Sequence, residues 1–271
     1  MRGLPEKSGD ADFLWETIRR DAEAGSREEP ALATLMYGVI LVQDSIEAAI
    51  GVRISQRLDH AALAGSVIAT AFAGAIRADP LIAAALRADL AAYIERDPAT
   101  GSALDTVLHL KGFHALAAHR LAHWLWRENR KSLSRYVQSR SSEVFQTDIH
   151  PAVPMGSGIF LDHATGIVIG ETAVLGDDIS ILQGVTLGGT GKDSGDRHPK
   201  VRRGVMIGAG AKVLGNIEIG EFARVGAGSV VLKDVPPRTT AVGVPARIVG
   251  AAGSAEPSKT MDQIVICEDD G

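Results

Sequence analysis

Residues 201–231 read V-R-R-G-V-M-I-G-A-G-A-K-V-L-G-N-I-E-I-G-E-F-A-R-V-G-A-G-S-V-V, and every sixth one, Val201, Ile207, Val213, Ile219, Val225 and Val231, is aliphatic. The register runs backwards through Leu187, Ile181, Leu175 and Ile169, and resumes after a two-residue slip at Leu161, Met155 and Ile149. Four residues after these lie small or β-branched residues, including Val153, Ile159, Thr165, Ala173, Ile179, Val185, Val205, Ala211, Ile217, Ala223, Ser229 and Val235, with Gly191 the exception. Alternation with period two would mark ordinary sandwich strands. A strict period of six marks repeated units that bury their apolar face only against one another. Six residues make a short strand and a corner, three strands close a triangular turn, and turns of such a parallel β-helix stack at strand spacing, about 4.8 Å.

The interval from Leu187 to Val201 is fourteen, and G-G-T-G-K-D-S-G-D-R-H-P-K between them is too polar to line a prism. Residues 188–200 are therefore expected to leave the coil as a loop, where chemistry tends to be carried on a rigid scaffold. Upstream the pattern is different. From Asp12 to about Ser142 apolar residues recur every three or four positions, as in Leu32, Leu35, Met36, Val39 and Ile40, with breaks at Asp79-Pro80 and Asp97-Pro98. The expected organisation is an all-helical domain over 1–146, a β-helix over 147–250 and a flexible tail over 251–271.

An apolar content of 45% with 23% charged residues is that of a globular chain, and a net charge of -5 gives no basic field for nucleic acid or an anionic membrane. The most apolar window, Ala61 to Ile76, is shorter than the roughly 20 residues of a membrane span. One cysteine, Cys267, allows no internal disulfide, and the N-terminus lacks a basic stretch followed by an apolar core, so a cytoplasmic setting is expected. His109, His114, His119 and His123 fall on one predicted helix, but spacings of five, five and four drift around it, and no metal is expected.

One pair interrupts the repeat. Asp162 and His163 stand in L-D-H-A-T-G-I-V-I-G-E-T-A-V (161–174), at the two-residue slip. A carboxylate beside an imidazole at a corner is either solvated turn chemistry or a proton acceptor with an acidic neighbour, and the residues alone leave both open. D-I-H-P (148–151), L-Q-G-V-T-L-G-G-T-G-K (182–192), G-D-R-H-P-K (195–200), V-G-V-P-A-R-I-V-G (242–250), R-D-P-A (96–99) and L-K-G-F-H-A-L (110–116) add to it. Together these stretches resemble the serine O-acetyltransferase family of hexapeptide-repeat acyltransferases.

The resemblance implies a left-handed β-helix, acetyl transfer from acetyl-CoA to the hydroxyl of L-serine in cysteine biosynthesis, inhibition by L-cysteine, and trimers, or dimers of trimers, with sites between subunits. It makes His163 the general base, with Asp148 orienting its ring. It makes Asp97 and Asp162 the ligands of the serine ammonium, Arg197 the clamp on its carboxylate, His198 a further polar contact, and Glu171 a support for His163. Gly189, Thr190, Ala209 and Ala227 are candidate contacts for the CoA arm, and Lys233 for a phosphate. Members commonly end in an isoleucine that docks into O-acetylserine sulfhydrylase; this sequence ends E-D-D-G, so that docking is expected to be weak or absent. Alternatives left open are another hydroxyl acceptor, homoserine-like or a sugar, and a β-helical zinc carbonic anhydrase.

Overall fold

The computed structural model describes residues 12–191 and 194–264. Nine α-helices are numbered in chain order among these: α1 Phe13–Glu28, α2 Ala33–Met36, α3 Ile46–Leu58, α4 Gly65–Ala78, α5 Pro80–Arg96, α6 Ala103–His109, α7 Lys111–Arg127, α8 Lys131–Phe145 and, far downstream, α9 Pro257–Thr260. Their bounds follow local chemistry. The side chain of Asp79 accepts from Leu81 N and Pro80 takes the first helical position of α5, where no amide hydrogen is missed. Ser45 and Ser102 cap α3 and α6 in the same way. The apolar window at 61–76 falls on α4, which buries Ile68, Ala71, Phe72 and Ala75 on one face. Among the described residues no single helix is long and apolar enough to cross a membrane.

After Gln146, whose backbone is left-handed at φ 57°, the chain winds into a left-handed parallel β-helix with three faces. Face I stacks β1 Thr147–Ile149, β3 Ile167–Ile169, β6 Thr186–Gly188, β9 Lys212–Leu214 and β12 Val230–Val231. Face II holds β4 Val174–Leu175, β7 Lys200–Val201 and β10 Glu218–Ile219. Face III runs β2 Phe160–Leu161, β5 Ser180–Ile181, β8 Met206–Ile207, β11 Arg224–Val225 and β13 Thr239–Gly243, with β14 Ala246–Ala251 antiparallel on β13. The six-spaced aliphatics lie in register across coils: Ile149 pairs Ile169, Ile169 pairs Leu187, Leu187 pairs Val213 and Val213 pairs Val231. All are buried except Met155, which is half-buried. Between β6 and β7 the described residues 189–191 and 194–199 belong to no strand, while Gly188 and Lys200, expected in the loop, end and begin the flanking strands. The companion series differs at the slip: Thr165 is exposed and Ala164 is buried in its place, because the two extra residues shift the corner.

The helices close the open end of the prism. β2 is an edge strand, and unpaired edge amides and carbonyls need partners. One face of α5 supplies them. Asp89 Oδ1 accepts from Ile159 N at 3.0 Å, the Tyr93 hydroxyl donates to Leu161 O at 2.9 Å, and Arg96 donates to Gly158 O at 2.9 Å. The buried Asp89 carboxylate is balanced by Arg120 at 2.6 and 2.8 Å, and Arg120 also donates to Gly156 O at 2.9 Å.

The histidines do related work, although His109 ends α6 and only His114, His119 and His123 lie on α7, which corrects the single helix expected for all four. His119 Nε2 donates to Val153 O at 3.1 Å, His123 Nδ1 contacts Pro151 O at 2.8 Å, and His114 Nε2 meets Val107 O inside the helical domain. Burial drives His114 and His119 down to about 3, so both stay neutral. An unfolded histidine takes up a proton near pH 6.5, so between there and about 3 the unfolded chain binds more protons, and this cap loses stability as pH falls through that window.

The tail expected from residue 251 is instead an arm laid over face III as far as Ile264. Ser180 Oγ donates to Ser258 O at 2.6 Å, Arg224 donates to Asp262 O at 3.1 Å and to Ile264 O at 3.0 Å, and α9 packs against α5. The outward residues Ser180, Met206, Arg224 and Thr240 are buried, so face III needed a cover that the polar composition of the arm does not announce. The expectation about sulfhydrylase docking falls on residues outside those described.

Candidate active site

The two-residue slip makes the corner between faces III and I. There His163 and Ala164 both adopt left-handed backbone, φ 53° and 61°, which L-residues take at a cost of about 1–3 kcal/mol when the surroundings hold them. The bracing is visible: Thr147 Oγ1 donates to Ala164 O at 3.1 Å, Gly166 N to Gln146 O at 2.8 Å, and the Lys111 ammonium to the Thr165 hydroxyl. The result lifts the His163 side chain to 74% exposure beside Asp162, which is 22% exposed, with Nε2 to Oδ1 at 3.8 Å. Asp162 also feels Asp97, at the end of α5. Burial raises the Asp162 carboxyl, the charge of Asp97 raises it further, and His163 opposes both. Asp97 itself accepts from Ala99 N at 2.8 Å and from the Thr100 hydroxyl at 2.5 Å within its own turn. Ala209 and Ala227 stack above on later coils at this same corner, where Gly210 N donates to Gln183 O and Gly228 N to Ala209 O, both at 2.8 Å.

The other predicted residues gather elsewhere. Glu171, Gly189, Thr190, Arg197, His198 and the exposed Lys233 lie at the corner between faces I and II. Arg197 donates to Glu171 Oε2 at 2.9 Å, and this bond holds the Glu171 carboxyl below its usual range. The structure thus gives Glu171 to Arg197 within the chain, and not to His163 as expected. His198 is buried, and Thr172 N donates to its Nδ1 at 3.2 Å, which leaves the proton on Nε2. Burial first, then the charges of Arg197 and Lys200, disfavour a second proton. A Cβ at Gly170 would lie 2.0 Å from His198 Nε2, so only glycine admits the ring there. Thr172 Oγ1 accepts from the amides of Arg197 at 3.0 Å and His198 at 3.1 Å, pinning the base of the loop.

Asp148 points outward from face I between these corners and accepts from Gln138 Nε2 at 2.8 Å; no hydrogen bond joins it to His163 within the chain. Sequence reasoning missed Gln138, Thr172 and His150. The last lies within electrostatic reach of Glu171, Asp148 and Arg197 and is lowered chiefly by burial. Among the described residues no group of three or more histidine, cysteine or acidic side chains could hold a metal ion.

A three-faced β-helix of hexapeptide units with a basic, histidine-bearing loop defines the class of hexapeptide transferases, and residues 198–233 match the bacterial transferase hexapeptide (six repeats) family. The chain belongs to the serine acetyltransferase family: residues 14–118 match its N-terminal domain, described as serine acetyltransferase, N-terminal, and the whole is similar to curated members. It is 52% identical over 252 residues to the serine acetyltransferase of Salmonella typhimurium, covering 93% of this chain and 92% of that one. The crystal structure of serine acetyltransferase in complex with coenzyme A from Brucella abortus is 54% identical with TM-score 0.89, covering 90% of this chain and 98% of that one. A serine acetyltransferase in complex with cysteine is 48% identical with TM-score 0.91, covering 94% and 99%.

Proposed function

We propose that this protein is an acetyl-CoA-dependent serine O-acetyltransferase whose active site forms where the Asp97–Asp162–His163 corner of one subunit meets the Glu171–Arg197–His198 corner of the next. The observation that carries it is the division of the chain: His163 stands beside Asp162, within electrostatic reach of Asp97, at one corner, and Arg197 stands paired with Glu171 at another. A three-sided prism has different corners to offer its two neighbours, so a threefold assembly pairs unlike corners around the ring. Exposed Phe13, Tyr37 and Leu81 on the helical domain offer apolar surface for pairing two trimers. The single cysteine suits a reducing compartment such as the cytoplasm.

In this site the serine ammonium settles between Asp97 and Asp162 and relieves their repulsion. The carboxylate replaces Glu171 as partner of Arg197, with His198 Nε2–H as a further donor. His163 takes the proton of the serine hydroxyl as its oxygen attacks the thioester carbonyl carbon. The C–S bond then breaks, and the imidazolium returns the proton to the departing CoA sulfur. Asp148 orients the imidazole across the subunit boundary. The CoA arm follows the stacked backbone past Gly189, Thr190, Ala209 and Ala227, and Lys233 lies within reach of a phosphate. L-cysteine carries the same ammonium and carboxylate and occupies the same pocket, which makes it a competitor of serine. Thiol release from acetyl-CoA, compared with L-serine, L-homoserine and a galactoside as acceptors, tests the reading: serine is expected to be fastest by at least about tenfold in kcat/KM, a difference of about 1.4 kcal/mol in transition-state binding. A faster galactoside or homoserine reaction would contradict it.

A further inference from the structure

We infer that the Tyr93 hydroxyl is a positioning residue that sets the spacing of Asp97 and Asp162 for the ammonium of serine; the inference rests on the ammonium reading of those two carboxylates. The two acids belong to different domains. Asp97 terminates α5, and Asp162 follows β2, so their separation depends on how the helix is docked to the edge strand. Burial is the main cause of the raised Asp162 carboxyl, and the like charge of Asp97 adds to it. The bonds that dock α5 on the edge strand therefore govern their separation.

Tyr93 joins the domains through its hydroxyl at Leu161, the residue next to Asp162. It lies four residues before Asp97, about one helical turn. Its hydroxyl donates to Leu161 O at 2.9 Å and accepts from Leu161 N at 3.3 Å, the residue before Asp162. Both directions of the hydroxyl are therefore used on one edge-strand residue, which fixes β2 along the helix axis as well as toward it. The ring is fully buried and held edge-on by Phe160 at 4.7 Å and Phe113 at 5.7 Å. α7 leaves no slack on the far side: a Cβ at Gly112 would come within 2.5 Å of the hydroxyl and 2.2 Å of Leu161 O. Burial, reinforced by the charges of Asp89, Asp162 and Asp97, keeps the phenol protonated and able to donate. Arg96 supports the same register one residue from Asp97, donating to Gly158 O at 2.9 Å and Ser180 Oγ at 3.2 Å.

Tyr93→Phe removes the hydroxyl and keeps the ring. Steady-state kinetics on the full chain should show KM for serine raised about three- to tenfold, the range one buried hydrogen bond carries, with KM for acetyl-CoA and kcat within about twofold. An unchanged serine KM, or equal losses in both KM values, would overturn the inference, since a merely structural role does not separate the two substrates. Should Tyr93→Phe not fold, Arg96→Lys is read for the same separation, and its absence there overturns the inference equally. Asp97→Asn is measured alongside. If it leaves serine KM unchanged, the ammonium reading fails and this inference with it; if it raises serine KM while Tyr93→Phe does not, only the positioning role fails.

Discussion

Replacing His163 by alanine is expected to lower kcat by on the order of 10² to 10⁴, the range a positioned general base supplies. The serine hydroxyl is a weak nucleophile at neutral pH, and His163 is the only imidazole at the acidic corner among the described residues. His150 and His198 stand at the other corner, and His198 is buried with its Nδ1 occupied by Thr172. The loss should appear in kcat and kcat/KM together with little change in KM for either substrate, because the imidazole acts on a proton that moves only in the transition state. His163 also occupies a left-handed backbone position, and alanine at 163 meets the same backbone cost as the neighbouring Ala164, so the variant should fold. Single-turnover and steady-state assays that gave a near-normal rate would remove His163 from its role.

Replacing Arg197 by alanine is expected to raise KM for serine about 30- to 10³-fold, the effect of leaving a desolvated carboxylate without its guanidinium partner, with a smaller change in kcat. In the free chain Arg197 is held against Glu171 at 2.9 Å, and its backbone is pinned by Thr172 at 3.0 Å. The guanidinium is thus arranged before substrate arrives, and its partner is a carboxylate that another carboxylate can replace. Two parallel N–H donors fit that group, so Arg197→Lys should recover only part of the loss. KM for acetyl-CoA, read in the same experiment, should be unaffected.

The prism was legible because its core rests on one rule applied at every coil: each six-spaced residue is aliphatic or methionine, and those positions, Ile149 to Val231, are buried apart from the half-buried Met155. The slip at His163 and the loop between β6 and β7 were legible as breaks in that rule. Other features were not. Asp89, Tyr93 and Arg96 look like polar interruptions of an ordinary helix, and only the unpaired edge of β2 gives them a purpose. Thr172 carries no pattern of its own; its importance comes from the three groups that converge on it. The arm over face III has the composition of a tail, and its docking depends on buried Arg224 and Ser180 one or more coils away. The separation of Arg197 from His163 also escapes any reading of spacing along the chain. Corners are assigned by the winding, and a residue 34 positions downstream lands on a different edge of the prism.

The most direct test of a site shared between subunits is activity in mixed assemblies of two impaired chains. Purified His163→Ala and Arg197→Ala proteins, dissociated, mixed in equal amounts and allowed to reassemble, are assayed at a serine concentration too low for Arg197→Ala alone. If one corner comes from each subunit, random mixing joins an intact His163 corner to an intact Arg197 corner at about one interface in four, so activity should rise to about a quarter of the wild-type value. Activity that stayed at the sum of the two separate variants would mean that each site is built within one chain, and would contradict the account.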